Sequence, residues 1–419
     1  MTHERLPRQG GEIETTIPNP IVDRPYRPGR AMRWLLTLAR NIQVGSLTFV
    51  FPDGSKECMT GPEPGPQAVF EVHHERIARR FIIGGTLGFC EAYLDGDWSS
   101  PDMETLFVVT LLNEHRLQEL LAGRGWYRAV QFLSHAMRRN NRRGAKRNIA
   151  YHYDLGNAFY EKWLDPSMTY SSAVFDRPEA GSDLSAAQHR KYQALARRMG
   201  LAADHHVLEI GCGWGGFAEF AAGEVGAQVT GITISREQHD FARRRIFEAG
   251  LAERVDIRLQ DYREVDGQFD RIASIEMFEA VGEAYWPRFF GTLRERLVSG
   301  GGAALQIITI ADRYFEEYRH KADYIQKYIF PGGMLPSPSE LRGQLRTAGL
   351  TLREMAGFGG DYAQTLRLWN ERFQAAWPEI QPLGFDERFK RMWEQYLHYC
   401  AAGFGVGTID VVQLAVTRD

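Results

Sequence analysis

From His205 to the C-terminus, short apolar runs take turns with stretches whose apolar residues recur three or four apart. HHVLEI (205–210), AQVTGITI (227–234), RVDIRLQ (254–260), FDRIASIEM (269–277) and GGAALQIITI (301–310) are rich in β-branched residues and predict strands. Between them FAEFAAGEV (217–225), REQHDFARRRIFEAG (236–250) and WPRFFGTLRERLVSG (286–300) predict helices, the second closed by Gly250. This alternation predicts an α/β fold, a doubly wound and mostly parallel sheet with ligand sites at the carboxyl ends of its strands. LTLREMAGF (350–358) and GTIDVVQLAVTR (407–418) offer two further strands.

Ahead of this region the pattern changes. Residues 1–31 are polar and rich in Pro, Gly and Arg, the composition of a disordered tail. Residues 32–125 predict a smaller α+β domain. In it, SLTFVFPDGSKECMT (46–60) reads as a hairpin around Pro52-Asp53-Gly54. A helix-like segment with GTLGFCEAYLDGDWSSPD (85–102) follows, then METLFVVTLLNEHRLQELLAG (103–123), read as one amphipathic helix closed by Gly123. Residues 126–150 form a basic linker with Arg138, Arg139, Arg142, Arg143, Lys146 and Arg147 inside twelve residues. Such a run is either a solvated connector or a surface for anionic lipid headgroups, worth about 1 kcal/mol per cation. The catalytic domain is expected over 151–419. It opens on YHYDLGNAFYEKWLDPSMTYSSAVF (151–175), whose rings follow neither a helix nor a strand period and suggest a loop or a lid over something apolar.

At 419 residues the chain exceeds one ordinary core, which agrees with two unequal domains. A net charge of −3 argues against wholesale nucleic-acid binding. Four scattered cysteines show no CxxC pair and no metal-ligand spacing, which favours a reducing compartment and no metal. The start carries no secretory h-region and no apolar run approaches the roughly 20 residues of a membrane span, so a cytoplasmic protein with at most peripheral membrane contact is expected.

The chemistry concentrates in a few motifs. Gly211-Cys212-Gly213-Trp214-Gly215-Gly216 is a GxGxxG pattern directly after a strand and opening a helix, the context that makes it a ligand loop. A dinucleotide fold would place an acid at the end of the next strand for the ribose hydroxyls. That place reads Gly231-Ile232-Thr233-Ile234-Ser235, without an acid, which disfavours NAD. Glu209, the glycine loop and Gln260-Asp261-Tyr262 suit S-adenosylmethionine instead, with Asp261 and Tyr262 toward an adenine. Ser235 and Gln238 also fit a capping box, S-x-x-Q opening a helix.

Taken together, the aromatic stretch 151–175, LEIGCGWGG, GITISREQ, SIEMFEAVGE, YIFPGGMLPS and GGDYAQTLRLW closely resemble, in the same order, the cyclopropane-fatty-acid synthases and their mycolic-acid-modifying relatives. The resemblance implies a class I methyltransferase (Rossmann-like) fold with S-adenosylmethionine as methyl donor and a phospholipid acyl double bond as acceptor. It implies a lipid-binding role for the first domain, unsaturated phospholipids with anionic headgroups as partners, a place at the inner face of the membrane, and a homodimer as one option.

By the same resemblance Tyr170, Ser171, Gly211, Gly213, Thr233 and Gln238 contact the cofactor. A bound bicarbonate would serve as base, positioned by a Glu, a Tyr, a His, a Cys and backbone groups. Glu279 and Tyr362 match two of these. The sequence departs from the pattern at Ala280 in FEAVG, at Ser172 in place of the cysteine, and in LQIITI, where Ile308 is read at the histidine position. Ser172 keeps a hydroxyl donor. The leading expectation is a cyclopropane product. The rivals are the same methyl transfer ending in a methyl- or methylene-branched chain, and a non-catalytic lipid-binding relative.

Overall fold

The computed structural model describes residues 26–117, 155–176, 183–320 and 323–419. The expected tail, the basic linker and Gly123 lie outside them, apart from the tail's last residues: Arg30 and Ala31 already begin the helix Arg30–Ala39. Seven strands form the main sheet, in the order β10-β11-β9-β8-β5-β6-β7. These are β5 (His206–Ile210), β6 (Gln228–Thr233), β7 (Val255–Leu259), β8 (Phe269–Ile275), β9 (Leu297–Ile310), β10 (Thr351–Gly357) and β11 (Ile409–Thr417). β5 to β9 pair in parallel, whereas β11 runs antiparallel to both β9 and β10. The expected strands are all present, and strand order reverses at β5, so its carboxyl end is the crevice where such sheets take ligands.

β9 corrects one boundary. The sequence pattern predicts Leu297 to Gly300 as the end of the preceding helix, which instead stops at Arg296. Leu297 is extended and fully buried, and pairs with Phe269 ahead of a register shift. The run from Gly301 to Ile310 is buried almost throughout, as expected of a strand covered on both faces.

A four-stranded sheet precedes it, in the order β2-β1-β3-β4, built from β1 (Val44–Val50), β2 (Lys56–Thr60), β3 (Glu63–Val72) and β4 (Trp98–Ser99). The hairpin around Pro52 is β1 and β2, paired antiparallel. The helix Arg76–Leu94 is kinked at Gly85, whose φ of 58° and ψ of −145° lie in a region open to glycine alone. The helix expected to run to Gly123 is described as Met103–Leu112 with Asn113 at its C-cap, and its apolar residues are spread around it rather than gathered on one face. The reason is that it sits between this sheet and the helix Glu387–Val406.

The two parts share a core. Phe49, Phe70, Trp98 and Phe107 of the first pack continuously with Phe159, Trp163, Trp369, Phe373 and Trp393 of the second. Tyr93 donates to Glu394 at 3.0 Å, and Arg367 clamps Glu104 through two nitrogens.

Candidate active site

The glycine loop follows β5. Gly211, Gly213 and Gly215 all have positive φ, and a Cβ on Gly211 would strike Met277 at 2.6 Å. At Gly213 a Cβ would meet nothing, so the loop leaves its backbone open to a ligand. Behind it Glu209 is buried, one carboxyl oxygen has no partner in the protein, and burial pushes its pKa up to about 8. A buried carboxyl group with an open oxygen is a poor structural element and is available to polar groups of a ligand.

On the next strand Thr233 donates to Gln238 Oε1 at 2.9 Å and accepts from Ser235 N at 3.1 Å. Ser235 caps the helix Arg236–Glu248 by accepting from Gln238 N. The expected capping box is therefore half formed, because the Gln238 side chain turns to Thr233 instead. At the end of β7, Asp261 is held by Arg263 Nε and Nη2 at 2.9 and 2.6 Å, which lowers its pKa, and Tyr262 packs edge-on against Phe289.

Residues 151–154 of the aromatic stretch lie outside the described residues; from 155 it is as irregular as its ring spacing suggests, with one turn of helix at Asn157–Tyr160. Its rings lock together: Phe159, Tyr160, Trp163 and Tyr170 contact one another or Trp369 and Trp393 at centroid distances of 5.1 to 5.8 Å. Tyr170 shares a hydroxyl contact of 2.9 Å with Tyr396. Ser171 is gripped from the helix Leu184–Arg198: Lys191 Nζ donates to its hydroxyl at 2.6 Å and Gln188 to its carbonyl at 2.9 Å. Lys191 is fully buried, and desolvation brings its pKa down to about 7.

At the carboxyl ends of β8 and β9 lie two half-buried carboxyl groups. Glu279 accepts from Ile308 N at 2.5 Å and leaves its other oxygen without a protein partner. Burial, and then the charge of Glu276, raise its pKa to about 8. Glu276 Oε1 accepts from Ser172 N at 2.8 Å and from Gln306 Nε2 at 2.7 Å, and Oε2 accepts from the Tyr362 hydroxyl at 2.6 Å. Burial raises its pKa, and these donors work against the rise. Gln306 is itself oriented: its oxygen accepts from Gln413 Nε2, and Gln413 in turn accepts from Arg198.

A cavity of about 1900 Å³ joins these parts. Every candidate from the sequence lines it except Ser172: Tyr170, Ser171, Glu209, Gly211, Gly213, Thr233, Gln238, Asp261, Tyr262, Glu279 and Tyr362 are all on its wall. Ser172 is fully buried, and its hydroxyl donates to the carbonyl of Ala173 rather than into the cavity. The polar side chain that β9 contributes here is Gln306, two residues before Ile308, which offers only its backbone N–H. Sequence reasoning missed Glu276, Gln306 and Lys191. For Glu276 a signal existed in the two acids three residues apart in SIEMFEAVGE, directly after a strand.

Fold and cavity define a class I methyltransferase whose cofactor is S-adenosylmethionine. The model of the family described as mycolic acid cyclopropane synthetase matches residues 140–414, and the chain belongs to this family. It is 40% identical to tuberculostearic acid methyltransferase UfaA1 of Mycobacterium tuberculosis over 89% of this chain and 88% of that protein. To the cyclopropane-fatty-acyl-phospholipid synthase of Escherichia coli K12 it is 36% identical, over 84% and 88%. Among solved structures, the mycolic acid cyclopropane synthase CmaA1 complexed with SAH and CTAB superposes with a TM-score of 0.60 at 30% identity, covering 64% of this chain and 97% of that one. The family's reaction is methyl transfer from S-adenosylmethionine to lipid acyl chains.

Proposed function

We propose that this chain methylates the cis double bond of an unsaturated phospholipid acyl chain and releases a methyl- or methylene-branched chain. The observation that carries the acceptor is the reach of the cavity. It runs from the glycine loop past Glu276, Glu279 and Tyr362, along Phe330, Leu366 and Tyr396, to Phe81, Leu87 and Phe107 of the first domain. Ordinary ligand sites occupy roughly 300–1,000 Å³, so its volume suits a nucleoside together with a long apolar tail. S-adenosylmethionine would be held by Glu209, Gly211, Gly213, Thr233 and Gln238, and supplies an electrophilic methyl group. An alkene is a weak nucleophile, so the packed rings hold it in place and keep water from the cation that follows.

The branched product is favoured by the similarity to UfaA1, which carries the name of a methyl-branched acid. The cyclopropane product is the second reading, supported by the family model and the Escherichia coli relative. The two differ in which proton the cation loses. Incubation with labelled S-adenosylmethionine and monounsaturated phospholipid vesicles should carry label into the acyl chain. Ring and unsaturated branch are isomers, so mass spectrometry after double-bond derivatisation distinguishes them. Cofactor binding without label in lipid would instead point to a carrier.

The first domain is proposed to take lipid from a membrane surface. Among the described residues no helix is long and apolar enough to cross a membrane. The basic run 138–147 predicts vesicle binding that weakens with salt and with loss of anionic lipid. Salt-insensitive binding contradicts that role.

A further inference from the structure

Of the groups expected to cradle a bicarbonate ion, Glu279 keeps one oxygen open, but the donors are already committed. Tyr362 gives its hydroxyl to Glu276, the Ser172 N–H points at Glu276 rather than at open space, and the Ser172 hydroxyl is bonded to Ala173. Gln306, the one polar side chain that β9 turns into this cluster, gives its amide to the same carboxylate. Three donors converge on two oxygens, two of them N–H groups that cannot accept, which is the environment of an anion. Bicarbonate therefore does not fit these residues: a carboxylate covalently attached to the chain stands where its donors point.

We propose that Glu276 is a built-in replacement for that external base, and that it removes the proton from the alkyl cation left by methyl transfer. The inference rests on the methyl transfer proposed above. In the step, a C–H bond beside the cationic carbon breaks and its electron pair forms the new carbon–carbon bond, a ring or a double bond. The proton passes to Glu276 Oε2, the oxygen with a single donor, and the positive charge of the cation is cancelled. Glu276 lines the cavity.

Backbone geometry supports the assignment independently. Glu276 has a φ of +48°, one of two non-glycine residues with positive φ among those described, and its N–H is tied to Gln306 O at 2.8 Å. Residues with side chains rarely take this conformation, and such strain gathers at functional sites. A glycine would adopt it freely and leave room for a small anion.

The test compares the wild-type chain with Glu276→Gly and Glu276→Gln in buffer purged of carbon dioxide and in buffer with added bicarbonate. Wild-type label transfer into vesicle phospholipid should be unchanged within twofold by purging. Glu276→Gly and Glu276→Gln should each lose about 100-fold or more, with S-adenosylhomocysteine affinity retained. Added bicarbonate should restore Glu276→Gly at least tenfold and leave Glu276→Gln unchanged. A second readout needs no turnover: ¹³C-bicarbonate line broadening should appear on adding Glu276→Gly and be absent with the wild type. Broadening by the wild type, bicarbonate-dependent wild-type turnover, or full activity in Glu276→Gln would each overturn the assignment. A wild type that transfers no label but also shows no bicarbonate broadening, while Glu276→Gly does, would sink the proposed reaction and keep the occupied anion site.

Discussion

Tyr362, near the start of the helix Gly359–Ile380, donates its hydroxyl to Glu276 at the end of β8 at 2.6 Å, and so joins two elements 86 residues apart at the floor of the cavity. Tyr362 is buried and Glu276 half-buried, and the bond is of the charge-assisted kind that is worth about 1.5–3 kcal/mol.

Tyr362→Phe should therefore slow methyl transfer by about 10- to 100-fold. A donor to the charged form is lost, so the Glu276 pKa rises, and the acid limb of the pH–rate profile should move to higher pH. The stacking of the ring on Phe404 survives the change, and S-adenosylhomocysteine affinity should stay within about threefold. An unmoved acid limb contradicts the coupling.

Glu209 makes stability depend on pH. Its pKa is raised in the fold, from 4.5 to about 8, so its contribution is complete below about 4.5 and is lost as pH rises through 8. Urea midpoints should fall over that window, and Glu209→Gln should make the fall shallower while weakening S-adenosylmethionine binding. Equal slopes in the two proteins would count against the buried, unpartnered state.

Lys191→Met should separate stability from function. A buried ammonium is replaced by an apolar chain of similar reach, so Tm should hold or rise. Ser171 loses its 2.6 Å donor, and the loop that places Ser172 N on Glu276 loosens. Activity should drop by about tenfold or more, and unchanged activity would show that the grip is only structural.

Trp163→Ala tests the ring cluster. Trp163 is fully buried against Phe159, Tyr160, Tyr170, Trp369 and Trp393. Its removal should cost about 3–5 kcal/mol, seen as a lower denaturation midpoint. A loss under 1 kcal/mol would mean that the cluster closes over the gap.

Gly85→Ala probes the far end of the cavity. The residue lines the wall at a helix kink that only glycine adopts without strain. The variant should raise the KM for vesicle phospholipid several-fold while S-adenosylhomocysteine affinity holds. Equal weakening of both would separate the kink from the lipid path.

How much was legible in the chain can be judged on particular residues. Strand periodicity, the glycine loop and the aromatic stretch were readable because they depend on residues near one another in sequence: Gly211 and Gly213 declare their backbone, and the irregular spacing of the rings of 159–170 declares a segment with no more than a single helical turn. By contrast the apolar run 103–112 could not be read as a helix packed between a sheet and a second helix, since the helix Glu387–Val406 that packs on it lies almost 300 residues away.

The sequence by itself determined the class of fold, the glycine loop and many of the polar side chains that line the cavity, though not Glu276, Gln306 or Lys191, because local propensity and spacing are written in neighbouring residues. Only the tertiary structure decided which of them meet. It turned Ser172 away from the cavity, joined Gln413, Gln306 and Tyr362 around Glu276, and buried Lys191 beneath Ser171. The physical reason is that burial and hydrogen-bond direction arise from packing between strands and helices far apart in the chain, and those two quantities decide which carboxyl group can hold a charge and which can take a proton.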